Sequence, residues 1–308
     1  MIRVRIPATT ANLGPGYDCM GLALDLWNTF EMHPRGPGYS VRTFGEGAEI
    51  LPTNEANLTL STFLSECKNM GVAPPEGVHL VCHSTVPCAS GLGSSSTATL
   101  AGVLFAFALK NRLADCDPAD LDRSAVLERA ISIEGHGDNV APALMGGFVI
   151  VMPDESGVLT QRVPIAPLKV VVCVPEFDFP TSKARAALPD SYSKEDAIYN
   201  IGRAMIVAEA LRSGDDAMLA RAMRDRIHEP YRLDLIPGAR SVQSAALDAS
   251  AICVALSGAG PGIIAFAREG FDRIGRAMKD AFTVASLRSR YWILDATSEG
   301  ADITRLPV

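Results

Sequence analysis

The chain has 308 residues, of which 48% are hydrophobic, 20% charged and 6% aromatic; that is ample apolar material for a core and excludes a disordered protein. At this length single cores usually stop growing, so two domains of roughly 150 residues are expected. Twenty-eight basic against 35 acidic residues leave a net charge of -7, which repels nucleic acid and anionic membrane and excludes both as partners.

Ile2, Val4 and Ile6 alternate with Arg3 and Arg5, the period of a half-buried strand, and the turn formers of residues 7–18 predict a loop after it. Residues 78–82 read as a strand, followed by the loop Pro87, Cys88, Ala89, Ser90, Gly91, Leu92, Gly93, Ser94, Ser95, Ser96 and a helix over 97–109. That apolar run is well short of the roughly 20 residues that span a membrane, which predicts a buried helix. A second helix is expected over 121–133, and 148–152 is a β-type run. The boundary between domains is expected in the polar stretch that follows, giving units of 1–155 and 156–308. In the second half, 168–174 reads as a buried strand. Ile198, Ile201, Met205, Ala208 and Leu211 have the spacing of a helix face within 195–224. Strands over 252–256 and 263–267, a helix marked by Phe271, Ile274, Met278 and Phe282, and a strand over 291–294 complete a β-β-α-β order, which suits a helix-backed antiparallel sheet.

No basic segment followed by an apolar block opens the chain, so a cytoplasmic location is expected. The seven cysteines, Cys19, Cys67, Cys82, Cys88, Cys116, Cys173 and Cys253, are scattered and form no Cys-x-x-Cys pair. This argues against a disulfide framework or a structural zinc site and predicts reduced, small core residues.

The sharpest chemical signal is Gly91 to Thr97 between strand and helix. Two glycines let backbone approach a ligand, helix-start amides lack acceptors, and three serine hydroxyls add donors without bulk, which together make an anion cradle. A Walker loop is excluded by the absence of Gly-Lys-Ser/Thr, and a dinucleotide fingerprint by Ser96 in the place of its third glycine. A plain helix start is the bland alternative. Asn12 and Asp18 sit in a loop stiffened by Pro7 and Pro15, free either to meet a polar ligand or to stabilise the turn. Glu134, between a helix and two glycines, can aim a hard oxygen at magnesium or sit solvated. Asp138 is expected to cap the helix that begins at Asn139, and His136 to be a bonded structural residue. His79 and His83, four apart in a strand, imply no metal face.

Three segments, Pro7 to Asp18, Gly91 to Ser96 and Leu256 to Pro261, resemble in order and spacing the three motifs of the GHMP small-molecule kinases. Within that family, Glu134 to Pro142, Thr181 to Arg185 with Leu188-Pro189, and His228 to Arg232 with Ile236-Pro237-Gly238 are similar to the homoserine kinases. The resemblance implies a two-domain α+β GHMP kinase fold, with an N-terminal domain like the second domain of ribosomal protein S5 and a ferredoxin-like C-terminal domain. It implies ATP-dependent phosphorylation of the L-homoserine hydroxyl toward threonine, with ATP and Mg2+ as cofactors, in a homodimer. By the same likeness, residues 87–96 and Asn57 bind ATP, Glu134 and Ser95 hold the metal, and Asn12, Asp18, Asn139, Thr181, Arg185, Arg232 and Gly258 bind substrate. Glu134, Asn139 and Ser95 carry catalysis. With Asn139 where related kinases often have an aspartate base, direct attack by the hydroxyl is expected. Gly262 departs from the family's usual threonine, and Cys88 and Thr97 vary the phosphate loop's surroundings. A kinase for another small alcohol and a non-catalytic sensor of the same fold are the rival readings.

Overall fold

The computed structural model describes residues 1–111 and 121–306; Cys116 lies outside them. The first half runs β1 (Ile2–Ala11), β2 (Met20–Pro34), β3 (Gly38–Gly45), α1 (Leu58–Asn69), β4 (Gly77–Ser84), α2 (Ser94–Lys110), α3 (Arg123–Glu134), α4 (Val140–Met145), β5 (Phe148–Asp154) and β6 (Gly157–Val163). The second runs β7 (Lys169–Pro175), α5 (Thr181–Ala186), α6 (Lys194–Ser213), α7 (Asp216–Ala222), α8 (Glu229–Leu233), α9 (Ala239–Asp248), β8 (Cys253–Leu256), β9 (Ile263–Ala267), α10 (Phe271–Val284), β10 (Ser289–Asp295) and β11 (Asp302–Arg305).

The first sheet has strand order β11-β1-β2-β4-β3, with the β5–β6 hairpin joined to the start of β2. Among the described strands only β3 and β4 pair in parallel. Buried against this sheet, α2 is apolar nearly all round, as a helix covered on every side must be; Leu100, Val103 and Phe105 are fully buried with Phe63 and Val126. The expected division at 155/156 falls in the turn of the β5–β6 hairpin, where Asp154 pairs with Gly157. Strand pairing carries the first sheet to Val163 and returns β11 to β1.

The second sheet is antiparallel, order β10-β7-β9-β8, the split arrangement of a ferredoxin-like unit. The alternation along β7 explains its two covered faces: Val171 and Cys173 pack with Val242, Ile274, Met278 and Phe282 of α9 and α10. Val170 and Val172 face the other way, into a core shared with Val207 and Leu211 of α6 and with Leu22, Leu24 and Phe148 of the first sheet. Burying each such side chain contributes about 1.5–3 kcal/mol, so the two sheets are joined by a continuous apolar layer.

The helix expected over 195–224 breaks at Gly214, left-handed with φ 74, into α6 and α7. The expected face divides: Ile198, Ile201 and Met205 are 61%, 61% and 65% exposed, whereas Leu211 is buried and Ala208 half-buried, and Asn200, Val207 and Ala210 complete the inward face. The sequence offers two stripes at helical spacing, and Asn200 settles the choice by bonding inward to the Pro15 carbonyl. Of the described cysteines, Cys67, Cys82, Cys173 and Cys253 are buried, Cys19 and Cys88 half-buried, and all are free thiols. No helix among the described residues is long and apolar enough to cross a membrane.

Candidate active site

A cavity of about 270 Å³ opens between the two sheets, lined by residues 89–91 and 93–96 on one side and by Asp18, Arg185 and Arg232 on the other. The loop after β4 is fixed from below by Asn28, whose Oδ1 accepts from the amides of Thr85 (2.9 Å) and Val86 (3.0 Å) and whose Nδ2 donates to Thr97 Oγ1 (2.9 Å). Thr97, a variation in this region, thereby belongs to the loop's support. The chain then passes through Ala89, Gly91 and Gly93, all with positive φ, and enters α2 without a side-chain cap. Opening amides of a helix have no intrahelical acceptor and carry partial positive charge, so this end suits a phosphate. Gly262 also has a local reason: a Cβ there would lie 2.4 Å from the Ser90 carbonyl, so threonine does not fit this backbone.

Glu134 closes α3 and reaches across to α2. Its carboxylate accepts from Thr99 Oγ1 (2.6 Å) and Ser96 Oγ (2.8 Å), with Ser95 Oγ at 3.5 Å. The closest hydroxyls are therefore those of Ser96 and Thr99, while Ser95 is exposed beside them. Thr99 was not expected from the sequence; its position three residues beyond Ser96, on the same helix face, is the available signal. The donors are hard oxygens, as magnesium prefers. Among the described residues no cluster of three His, Cys, Asp or Glu could hold a metal alone, so an ion here would take its remaining ligands from phosphate and water.

On the opposite wall Arg185, from α5, makes a bidentate pair with Asp18 (2.8 and 2.9 Å) and also donates to Tyr17 Oη (3.1 Å). The bond to Asp18 holds this guanidinium more firmly protonated than usual. Arg232, from α8, is 1% exposed. It donates to the Ala184 carbonyl (3.2 Å) and to His228 Nδ1 (3.3 Å), and its guanidinium lies 5.1 Å from the Tyr17 ring centroid. Among the described residues no carboxylate forms an ion pair with it, and burial pushes its pKa down despite the pull of Tyr17 and Asp18. A buried cation without a matching anion is costly, and the cavity is where that anion can come from. Thr181 opens α5 at the rim.

Other expected residues are engaged differently. Asn12, with Leu13 and Gly14, forms a run of three left-handed residues, a strained backbone that its neighbours must hold. The Asn12 amide does so, donating to the Gly258 carbonyl (2.7 Å) and accepting from the Asp18 amide (2.9 Å). Gly258 lies in the turn between β8 and β9, which Ser257 ties to the phosphate loop by donating to the Gly91 carbonyl (2.7 Å). Asn139 Oδ1 accepts from Thr9 Oγ1 (2.8 Å) at the cavity edge. Asp138 does not cap α4, which has Asn139 at its N-cap and no side-chain cap. Its carboxylate is taken by His136 Nδ1 (2.7 Å), a bond that raises the imidazole pKa against the opposing effect of burial. His136 is thus the bonded residue expected.

A second cavity of about 190 Å³ lies behind the serines, lined by Asn57, Phe30, Leu51, Cys88 and Ser95 among others. Asn57 caps α1, accepting from the Thr59 amide (3.1 Å) and donating to the Pro52 carbonyl (3.0 Å). Cys88 contributes a thiol whose pKa is raised by burial.

Two mixed domains meeting at a serine loop, with the strap of β1 and the β8–β9 turn closing over it, are the architecture of a GHMP kinase. Models of the GHMP kinase N-terminal and C-terminal domains match residues 57–147 and 207–284. The chain is 37% identical to homoserine kinase of Moorella thermoacetica, covering 97% of this chain and 98% of that one, and 38% identical to homoserine kinase of Trichormus variabilis, covering 97% and 98%. The crystal structure of homoserine kinase from Cytophaga hutchinsonii superposes with a TM-score of 0.83 at 29% identity, over 98% of this chain and 97% of that one. The crystal structure of L. major mevalonate kinase shares the fold alone, with a TM-score of 0.72 at 16% identity over 96% of each chain. The chain belongs to the homoserine kinases of the GHMP kinase family.

Proposed function

We propose that this chain transfers the γ-phosphoryl group of ATP to the hydroxyl of L-homoserine, giving O-phospho-L-homoserine and ADP. The observation that carries this reading is the Asp18–Arg185 pair beside the buried Arg232, facing the serine loop across one cavity. An α-amino acid presents a carboxylate and an ammonium on one carbon. A guanidinium and a carboxylate held side by side are its charge complement. In this reading the substrate carboxylate takes Arg232 and Arg185, its ammonium takes Asp18, and the bond between Arg185 and Asp18 is exchanged for bonds to the ligand. Asn12 and Asn139 keep their loops in place around it, with Thr181 and Gly258 at the rim.

The triphosphate lies along residues 87–96, against the amides opening α2, with the adenosine end toward Asn57 and Cys88. Glu134 with the Ser95 or Ser96 hydroxyl would hold a magnesium ion, which would supply charge neutralisation at the phosphates. The substrate hydroxyl oxygen attacks γ-phosphorus as the bond to the β–γ bridging oxygen breaks; ADP leaves with that electron pair, and the hydroxyl proton passes to a phosphoryl oxygen or to solvent. A loose transition state of this kind asks for alignment and charge stabilisation more than for a base, which fits an Asp138 already bonded to His136. ADP release coupled to an optical readout, with magnesium and a panel of L-homoserine, L-serine, L-threonine and mevalonate, tests the proposal. Turnover selective for L-homoserine is expected; equal rates across the panel, or none, would refute it.

We also read the uncovered α6 face of Ile198, Ile201 and Met205 as the surface of a homodimer, since apolar patches of this kind mark interaction sites. Sedimentation velocity on the wild type and on Met205→Glu is the test: a dimer is expected for the first and a monomer for the second, and a monomeric wild type removes the reading.

A further inference from the structure

Arg232 cannot aim itself. Its guanidinium donates to the Ala184 carbonyl and to His228 and lies against Tyr17, so the imidazole sets where one of its N–H groups points. His228 is fully buried, and its Nε2 lies 2.8 Å from the Gly14 carbonyl. A carbonyl only accepts, so Nε2 carries the hydrogen and Nδ1 is left as a lone-pair acceptor. A guanidinium only donates, and Arg232 NH1 lies 3.3 Å from that Nδ1. Tyr17 stacks on the ring at a centroid distance of 5.3 Å. Burial pushes the imidazole pKa down, with Asp225, 3.8 Å away, opposing.

The imidazole is itself anchored from two directions. Both Asp225 oxygens are spent on the segment, accepting from the amides of Ile227 (3.0 Å), His228 (2.7 Å) and Glu229 (2.7 Å) and from Asn200 Nδ2 (2.6 Å). Asn200 also donates to the Pro15 carbonyl and accepts from the Arg226 amide. The loop carrying Asp18 and the helix carrying Arg232 are thus tied through one buried polar network, and fully satisfied networks of this kind fix geometry.

We propose that His228 is a positioning residue for substrate: with its hydrogen on Nε2, it hangs from the Gly14 carbonyl and sets the direction of the Arg232 guanidinium in the cavity that Arg232 shares with Asp18. The inference rests on the reading that Arg232 binds the carboxylate, and the test separates the two. His228→Gln keeps a donor near the Nε2 position and loses the acceptor for Arg232. His228→Asn keeps an acceptor near Nδ1 and loses the tether to Gly14. His228→Ala lacks both, and Arg232→Lys probes the cation directly. The homoserine KM is expected to rise about tenfold in His228→Gln and His228→Ala, the worth of one hydrogen bond to a charged group, and by less than about threefold in His228→Asn. ATP KM and kcat should stay within about twofold in all three. Equal rises in homoserine KM for the Asn and Ala variants, or a parallel loss in kcat and ATP affinity, would overturn the positioning role, and that comparison stands even if the Gln variant does not fold. A wild-type homoserine KM in Arg232→Lys removes Arg232 from the site and the role of His228 with it. An impaired Arg232→Lys beside an unaffected His228→Gln removes His228 alone.

Discussion

Gly93 shows how a single missing side chain makes room for a ligand. Its φ is 71, and a Cβ there would lie 2.1 Å from Thr9 Oγ1 and 3.1 Å from Asn139 Oδ1. Gly93→Val should therefore cost at least about tenfold in nucleotide affinity, through strain at positive φ and displacement of the loop, while circular dichroism remains that of a folded chain. Calorimetric titration with a nonhydrolysable ATP analogue reads it; wild-type affinity would reduce the loop to an ordinary helix start. At this scale residue type was a good guide to placement: Gly91 and Gly93 do take positive φ before the uncapped start of α2, and Asp18, Arg185 and Arg232 do line one cavity. It was a poorer guide for side chains with several uses. Asn12 spends its amide on Gly258 and Asp18 backbone, and Asp138 turned to His136 rather than to the helix it precedes. Nothing local in the sequence tells an Asx side chain which of several nearby partners will have the better geometry.

Elements were legible by period and illegible by partner. The continuous apolar run of β7 and the spacing in α10 gave both their type and their burial, because β7 is apolar on both faces and α10 on one. In α6 two stripes compete, and the deciding contacts come from Pro15 and Asp225, remote in sequence. The short α8 is the extreme case, held in place by what surrounds it. Its first residue, Glu229, is buried, accepts the Leu256 amide (2.5 Å) and has its pKa pushed up to about 7, chiefly by burial. An ordinary glutamate titrates near ~4.3. Between these values the fold keeps a proton that the unfolded chain has released, so the contribution of this group to stability is fully present at low pH and is lost as pH rises to about 7. Glu229→Gln keeps the acceptor and removes the ionisation. Its Tm relative to wild type should therefore climb between pH 5 and pH 8, by about 5 °C. Differential scanning calorimetry at the two pH values checks this, and a difference independent of pH would mean that Glu229 does not ionise in that window.

For the molecule as a whole, length and composition were enough to expect two domains, and the motif order was enough to expect the kinase fold. The seam was harder to read, because β6 and β11 are short, partly polar strands whose membership of the first sheet depends on pairing with β5 and β1. The core that runs from Leu22, Leu24 and Phe148 to Val170, Val172 and Phe266 carries a consequence for traffic through the site. Enzymes that swing whole domains around a hinge admit their ligands through a wide mouth. Here such a swing would pull apart a close-packed apolar layer and expose it to water, so the aperture has to be worked by its rim. The rim is fastened by Arg185, from the second half of the chain, on Asp18, from the first. On the proposed reading, a substrate that carries both charges would undo that fastening and replace it with its own, a key cut to the shape of the latch.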